Sequence, residues 1–162
     1  MTSDELQRKA RQILDGALKD APSGVRVVPM DEDTGFYQNV RRRISDHKFA
    51  VLAAGDEILV FFDRKGQFIG WRDDGRKGVA TESPVAAQEL FRAVSQELEL
   101  PPTAVLSRAV PRYLPPVGWT HEAVIFLKPA PAPEDVLRVW ASPQTLRVIQ
   151  CLYGPEGLEV TP

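Results

Sequence analysis

Apolar positions along the chain switch from helical to strand spacing, and they do so twice. Leu6, Ala10, Ile13, Leu14, Ala17 and Leu18 share one helical face. Thr2, three residues before Glu5, fits a capping box in which each side chain satisfies a free amide at the helix start. Ala21-Pro22-Ser23-Gly24 ends that helix, because proline cannot continue the hydrogen-bond ladder and glycine releases the chain. Residues 25–28 read as a short strand stopped by Pro29 and the acidic loop Asp31-Glu32-Asp33. Phe36, Val40 and Ile44 recur every fourth residue, which predicts a short helix capped by Thr34. Three strands follow, at 49–52, 57–62 and 67–71, joined by glycine-containing turns at Gly55-Asp56 and Lys65-Gly66.

The second half starts afresh. Ser83-Pro84 supplies an N-cap and a first-turn proline, Ala87, Leu90, Phe91, Val94 and Leu98 form the buried face, and Pro101-Pro102 close the helix. Residues 103–110 read as a strand and 111–119, with three prolines, as an irregular segment of extended proline geometry. A strand at 123–127, a linker at 129–133 and a hairpin turning at Ser142-Pro143-Gln144 complete the pattern. Ser142-Pro143 could also cap a helix carrying Leu146, Ile149 and Tyr153. Alternating Val, Ile and Trp favour strands.

The two blocks echo one another at similar separations. His121 lies 74 residues beyond His47, Val136 lies 78 beyond Ile58, and Pro102 lies 80 beyond Pro22. The expected fold is therefore α+β: a tandem pseudo-repeat of one helix plus a three- to four-stranded antiparallel sheet, with the helices on one face. The polar, glycine-punctuated loop at 72–78 marks the expected boundary between halves 1–78 and 79–162 of one compact unit. In outline this resembles cystatin-like and PepSY-like modules. No residue motif diagnostic of either is present, so the resemblance implies no function.

A chain of 162 residues buries about 70% of its unfolded surface and can hold a core without metals or disulfides. Its 43% hydrophobic and 26% charged residues are ordinary for a globular protein. The one cysteine, Cys151, excludes an internal disulfide and a cysteine-only zinc site; flanked by Ile149 and Leu152, it reads as a buried structural thiol. The N-terminus is acidic and amphipathic rather than basic then apolar, and no run approaches the ~18 apolar residues of a membrane span. A cytoplasmic location without membrane contact is expected. A net charge of −2 does not by itself point to nucleic acid.

Familiar catalytic signatures are missing: no GxxxxGK[ST], GxGxxG after a strand, GxSxG or HExxH occurs. His121-Glu122 is not followed by the second histidine of a zinc motif, and His47 and His121 both read as hydrogen-bonding residues at strand starts. Neither a metal nor a cofactor is expected. The strand at 25–28 ending near Asp31 and Asp33 resembles the opening of haloacid-dehalogenase-type phosphatases. That resemblance implies a magnesium-dependent phosphohydrolase, with Asp31 as nucleophile, Asp33 handling the proton, Asp73 and Asp74 as metal ligands, and Lys65 or Lys77 holding phosphate. The departures are that Thr34 and Gly35 stand in the wrong order, Pro29 interrupts the strand, and the family's alternating strands and helices are missing.

Two surfaces remain as binding candidates. Arg41, Arg42 and Arg43, with Lys48, Arg72, Arg76 and Lys77, could track a phosphate backbone while Phe36, Tyr37 and Trp71 stack on bases, a nucleic-acid reading. The simpler account is an exposed last helical turn, where positive charge complements the dipole. Arg112, Tyr113 and Trp119 combine the residue types that dominate protein interfaces on a proline-stiffened segment. Trp71 and Trp140 read as core. The expectation is a non-catalytic module contacting another protein, or pairing with a second copy through a sheet edge.

Overall fold

The computed structural model describes residues 67–154 in full. It also describes the backbone of 25–29, 50–54 and 58–62 with the side chains of Val60 and Phe61, and Glu5, Arg8, Lys9 and Gln12. Those last four are helical and exposed, one polar face of the first expected helix. The expected short helix at 34–44 lies outside the described residues, as do Asp31, Asp33, Arg41, Arg42, Arg43, His47 and Lys65.

The described elements form two compact units divided between Asp73 and Asp74. The first holds β1 (Val25–Pro29), β2 (Ala50–Ala54), β3 (Ile58–Phe62) and β4 (Phe68–Asp73). Each pairs antiparallel with the next, with Val27 opposite Leu52, Leu52 opposite Val60 and Val60 opposite Trp71. Val60, Phe61, Ile69 and Trp71 are buried, the fate expected of β-branched and aromatic residues in a strand.

The second unit holds helix α1 (Ala87–Glu97) and strands β5 (Val105–Leu114), β6 (Gly118–Phe126), β7 (Val136–Ala141) and β8 (Val148–Tyr153), again antiparallel in consecutive order. The fold is thus α+β, with consecutive strands antiparallel within each unit. Residues 148–153 are strand, as the alternation of valine and isoleucine predicts.

α1 buries Leu90 and Val94, one turn apart, fully; each such burial stabilises by about 1.5–3 kcal/mol. The helix begins later than Ser83-Pro84 suggests: its N-cap is Ala86, which offers no side-chain cap. The carbonyl of Ser83 instead accepts a hydrogen bond from His121 Nε2 at 3.2 Å, so a tertiary contact has taken the residue that a local cap would use. At the other end Leu98 N–H donates to Val94 O, and Glu99 adopts φ 51° before the two prolines.

Glu97 sits in the last turn, where negative charge opposes the helix dipole. Its compensation is tertiary. One carboxylate oxygen pairs with Arg76 Nη1, and the other accepts Val148 N–H at 2.9 Å. Arg76 Nη1 also donates to Val148 O at 2.6 Å. Both backbone groups of the first β8 residue therefore have side-chain partners.

The expected irregular segment 111–119 is not irregular. β5 runs through Pro111 to Leu114, the chain turns over Pro115, Pro116 and Val117, and β6 begins at Gly118. Pro111 is compatible with a strand because β5 lies at an edge: among the described residues it pairs only with β6. Leu114 and Val117 are buried and anchor the turn.

Candidate functional site

The β5–β6 hairpin carries side chains of opposite character on its two faces. Register places Tyr113 opposite Trp119 and Arg112 opposite Thr120. Neighbouring residues of a strand point to opposite sides, so the aromatic pair and Arg112 do not share a surface. Tyr113 and Trp119 meet edge to face, with ring centroids 5.8 Å apart and planes at 73°. This offset geometry places the positive edge of one ring on the negative face of the other. Tyr113 is 48% exposed, and Trp119 is half-buried.

A strap holds this tip from the other side. Val79 pairs antiparallel with Trp119, donating to its carbonyl at 2.9 Å and accepting from its N–H at 2.8 Å, while Gly78 N–H reaches Val117 O at 3.0 Å. The backbones approach so closely that a Cβ on Gly78 would lie 2.2 Å from Trp119 O. One on Gly118, already at φ +110°, would lie 2.8 Å from Val79 O. Only glycine serves at these two positions.

On the opposite face Arg108 and Arg112 of β5 and Arg138 of β7 converge on Glu122 of β6. Arg108 and Arg138 lie in one cross-strand row on either side of Val124, and Glu122 lies between Val110 and Trp140 in the next. Arg138 Nη1 reaches Glu122 Oε1 at 3.3 Å, Arg112 Nε reaches Oε2 at 3.2 Å, and Arg108 Nη2 stands at 3.5 Å from Oε1. The carboxylate is the floor of the cluster, its side chain 3% exposed. Arg138 is 10% exposed, Arg112 35% and Arg108 52%. Among the described residues one negative charge therefore faces three positive ones. Burial lowers the Arg138 pKa, Glu122 raises it, and Arg108 and Arg112 lower it further by like-charge repulsion. Arg138 Nε is buried without a partner.

The remaining candidates fall elsewhere. Asp74 is buried, Asp73 half-buried, and neither is free of partners. His121 is buried with Nε2 engaged by Ser83 and Nδ1 without a hydrogen-bond partner. Among the described residues no three His, Cys, Asp or Glu side chains group as a metal site. Cys151 is a buried thiol on β8, outside any disulfide, and Trp71 and Trp140 are core residues at 1% exposure. No described helix is long and apolar enough to cross a membrane.

Sequence reasoning singled out Arg112, Tyr113 and Trp119 and missed Arg108, Glu122 and Arg138. A period-two reading would have put Arg108 and Arg112 on one strand face. The irregular assignment of 111–119 removed that reading, and Arg138 joins them only through sheet pairing.

No family model and no curated protein matches the chain. Among solved structures it resembles the Bacillus megaterium YpeB C-terminal domain, with a TM-score of 0.54 and 11% sequence identity. The match covers 98% of this chain and 65% of that one, so the chain spans under two thirds of its neighbour's length. At this identity the likeness shows the fold alone.

Proposed function

We propose that the chain is a non-catalytic binding module that contacts another protein through the tip of the β5–β6 hairpin. The observation that carries this reading is the exposed Tyr113 ring seated on Trp119. The pair is braced by the Gly78–Val79 strap and by buried Leu114 and Val117. Tyrosine and tryptophan present large contact area with few rotatable bonds, and a braced hairpin loses little entropy on docking. We read the two units as a tandem pseudo-repeat, supported by four consecutive antiparallel strands in each.

The test is site-specific photo-crosslinking in the cells that make the protein. Benzoylphenylalanine replaces Tyr113 in one full-length variant and Glu89, exposed on α1, in another. A discrete protein adduct from position 113, absent from position 89 and resistant to nuclease, is expected. Equal labelling at both positions, or an adduct that nuclease removes, overturns the reading.

A further inference from the structure

We propose that Arg108, Arg112 and Arg138 form a binding site for a dianionic phosphate-type group, either a free phosphate monoester or a phosphorylated side chain. The site lies on the face opposite Tyr113 and stands whether or not the hairpin tip contacts a protein. Satisfying one buried carboxylate does not require three guanidinium groups. A single ion pair with a well-placed arginine would do so, and each added cation repels the others. Among the described residues the cluster carries an excess of two positive charges, which a phosphate monoester, at about −1.5 to −2 near neutral pH, would balance.

The donors are in place. Arg112 uses Nε on Glu122 and commits no other group among the described residues, and Arg108 makes one contact, at 3.5 Å. Both are partly exposed while Glu122 lies beneath them, so an approaching anion meets guanidinium before carboxylate. Glu122 then acts as a positioning group that holds the guanidinium groups together in the unliganded state. Arginine forks suit the oxygens of phosphate, and Arg138, nearly buried, adds charge that solvent screens poorly. Pro111, between the two β5 arginines, lacks an N–H for an added strand. The sheet face is therefore a better docking surface than the strand edge.

The experiment is thermal unfolding of the full chain in inorganic phosphate at constant ionic strength, balanced with sodium chloride and with acetate as the monoanion control. Ligand that binds only the folded state raises the midpoint. A saturable rise of ~5–10 °C is expected at a hundredfold excess over Kd. It should be absent with acetate and lost in the Arg108→Gln/Arg112→Gln variant but retained in Arg147→Gln, an exposed arginine in the β7–β8 turn. Nitrogen-15 NMR of wild type reads the same event at the Arg112 Nε–H without any substitution.

A flat midpoint with an unmoved Arg112 signal overturns the proposal. So does an equal rise in the double variant, or a short single-stranded oligonucleotide that binds more tightly than any monoester. A phosphoserine peptide distinguishes the two sources: at least tenfold tighter binding than inorganic phosphate assigns a phosphorylated chain, and equal binding assigns a free phosphate. Loss of phosphate binding in a chain that still crosslinks at position 113 would refute this site alone.

Discussion

Glu122→Gln keeps the side chain's shape and removes the one charge on which three arginines converge. The Arg138 pair, at 3.3 Å and largely buried, has a Coulomb energy of about 5 kcal/mol at an effective dielectric constant near 20. Much of this is offset by desolvation. The net cost of removing one partner of a buried pair is nevertheless about 3–5 kcal/mol, because the other charge stays buried and unpaired. Arg108 is half-exposed and adds no more than about 1 kcal/mol. For a chain of this length the expected fall in thermal midpoint is about 6–20 °C. The assay is urea unfolding followed by tryptophan fluorescence in phosphate-free buffer, with Trp140 directly across from Glu122 in the sheet. Arg108→Ala should move the urea midpoint little. The double variant Glu122→Leu/Arg138→Met, which removes both buried charges, should recover most of the loss. A Glu122→Gln cost below about 1 kcal/mol refutes the reasoning, because the carboxylate would then be hydrated. A double variant no better than the single would show that shape, not charge, sets the cost.

Two further outcomes follow from the geometry. Gly78→Ala should detach the strap and lose up to three backbone hydrogen bonds, together about 1.5–4.5 kcal/mol; faster hydrogen exchange at Val79 and Trp119 reports it, and unchanged protection would disprove the close approach. Burial, reinforced by Cys151, raises the Tyr153 pKa above its ordinary value. The unfolded chain therefore loses that proton first, and stability falls as pH rises past the normal tyrosine range of about 10. Tyr153→Phe should flatten the alkaline limb of a stability–pH curve, and an unchanged slope would show that Tyr153 ionises freely in the folded state.

Much of the strand pattern was legible because it rests on local rules. Val, Ile and Trp at 136–140 and 148–152 favoured strands over the helix that Ser142-Pro143 could have capped, and Ser142 closed the turn between them by accepting the N–H groups of Gln144 and Thr145. The helix core, Leu90 and Val94, followed from spacing. The start of α1 did not, because Ser83 was engaged by His121, 38 residues away. The segment at 111–119 was misjudged for a related reason. Proline looks like a strand breaker until the strand is known to be an edge, and edge position depends on which strands pair.

The candidate sites divide the same way. Tyr113 and Trp119 attracted attention as residue types at the ends of a short proline-rich stretch, and a hairpin did bring them together. Arg108, Glu122 and Arg138 are separated by 14 and 16 positions on three strands and carry no local signature. Amphipathic period and turn chemistry, which act over a few residues, determined that this chain would form an α1-type helix and antiparallel strands. Strand register decided the rest. By setting three arginines around one buried carboxylate and Tyr113 on the reverse face, it created two chemically distinct surfaces, because charge and exposure depend on neighbours distant in sequence.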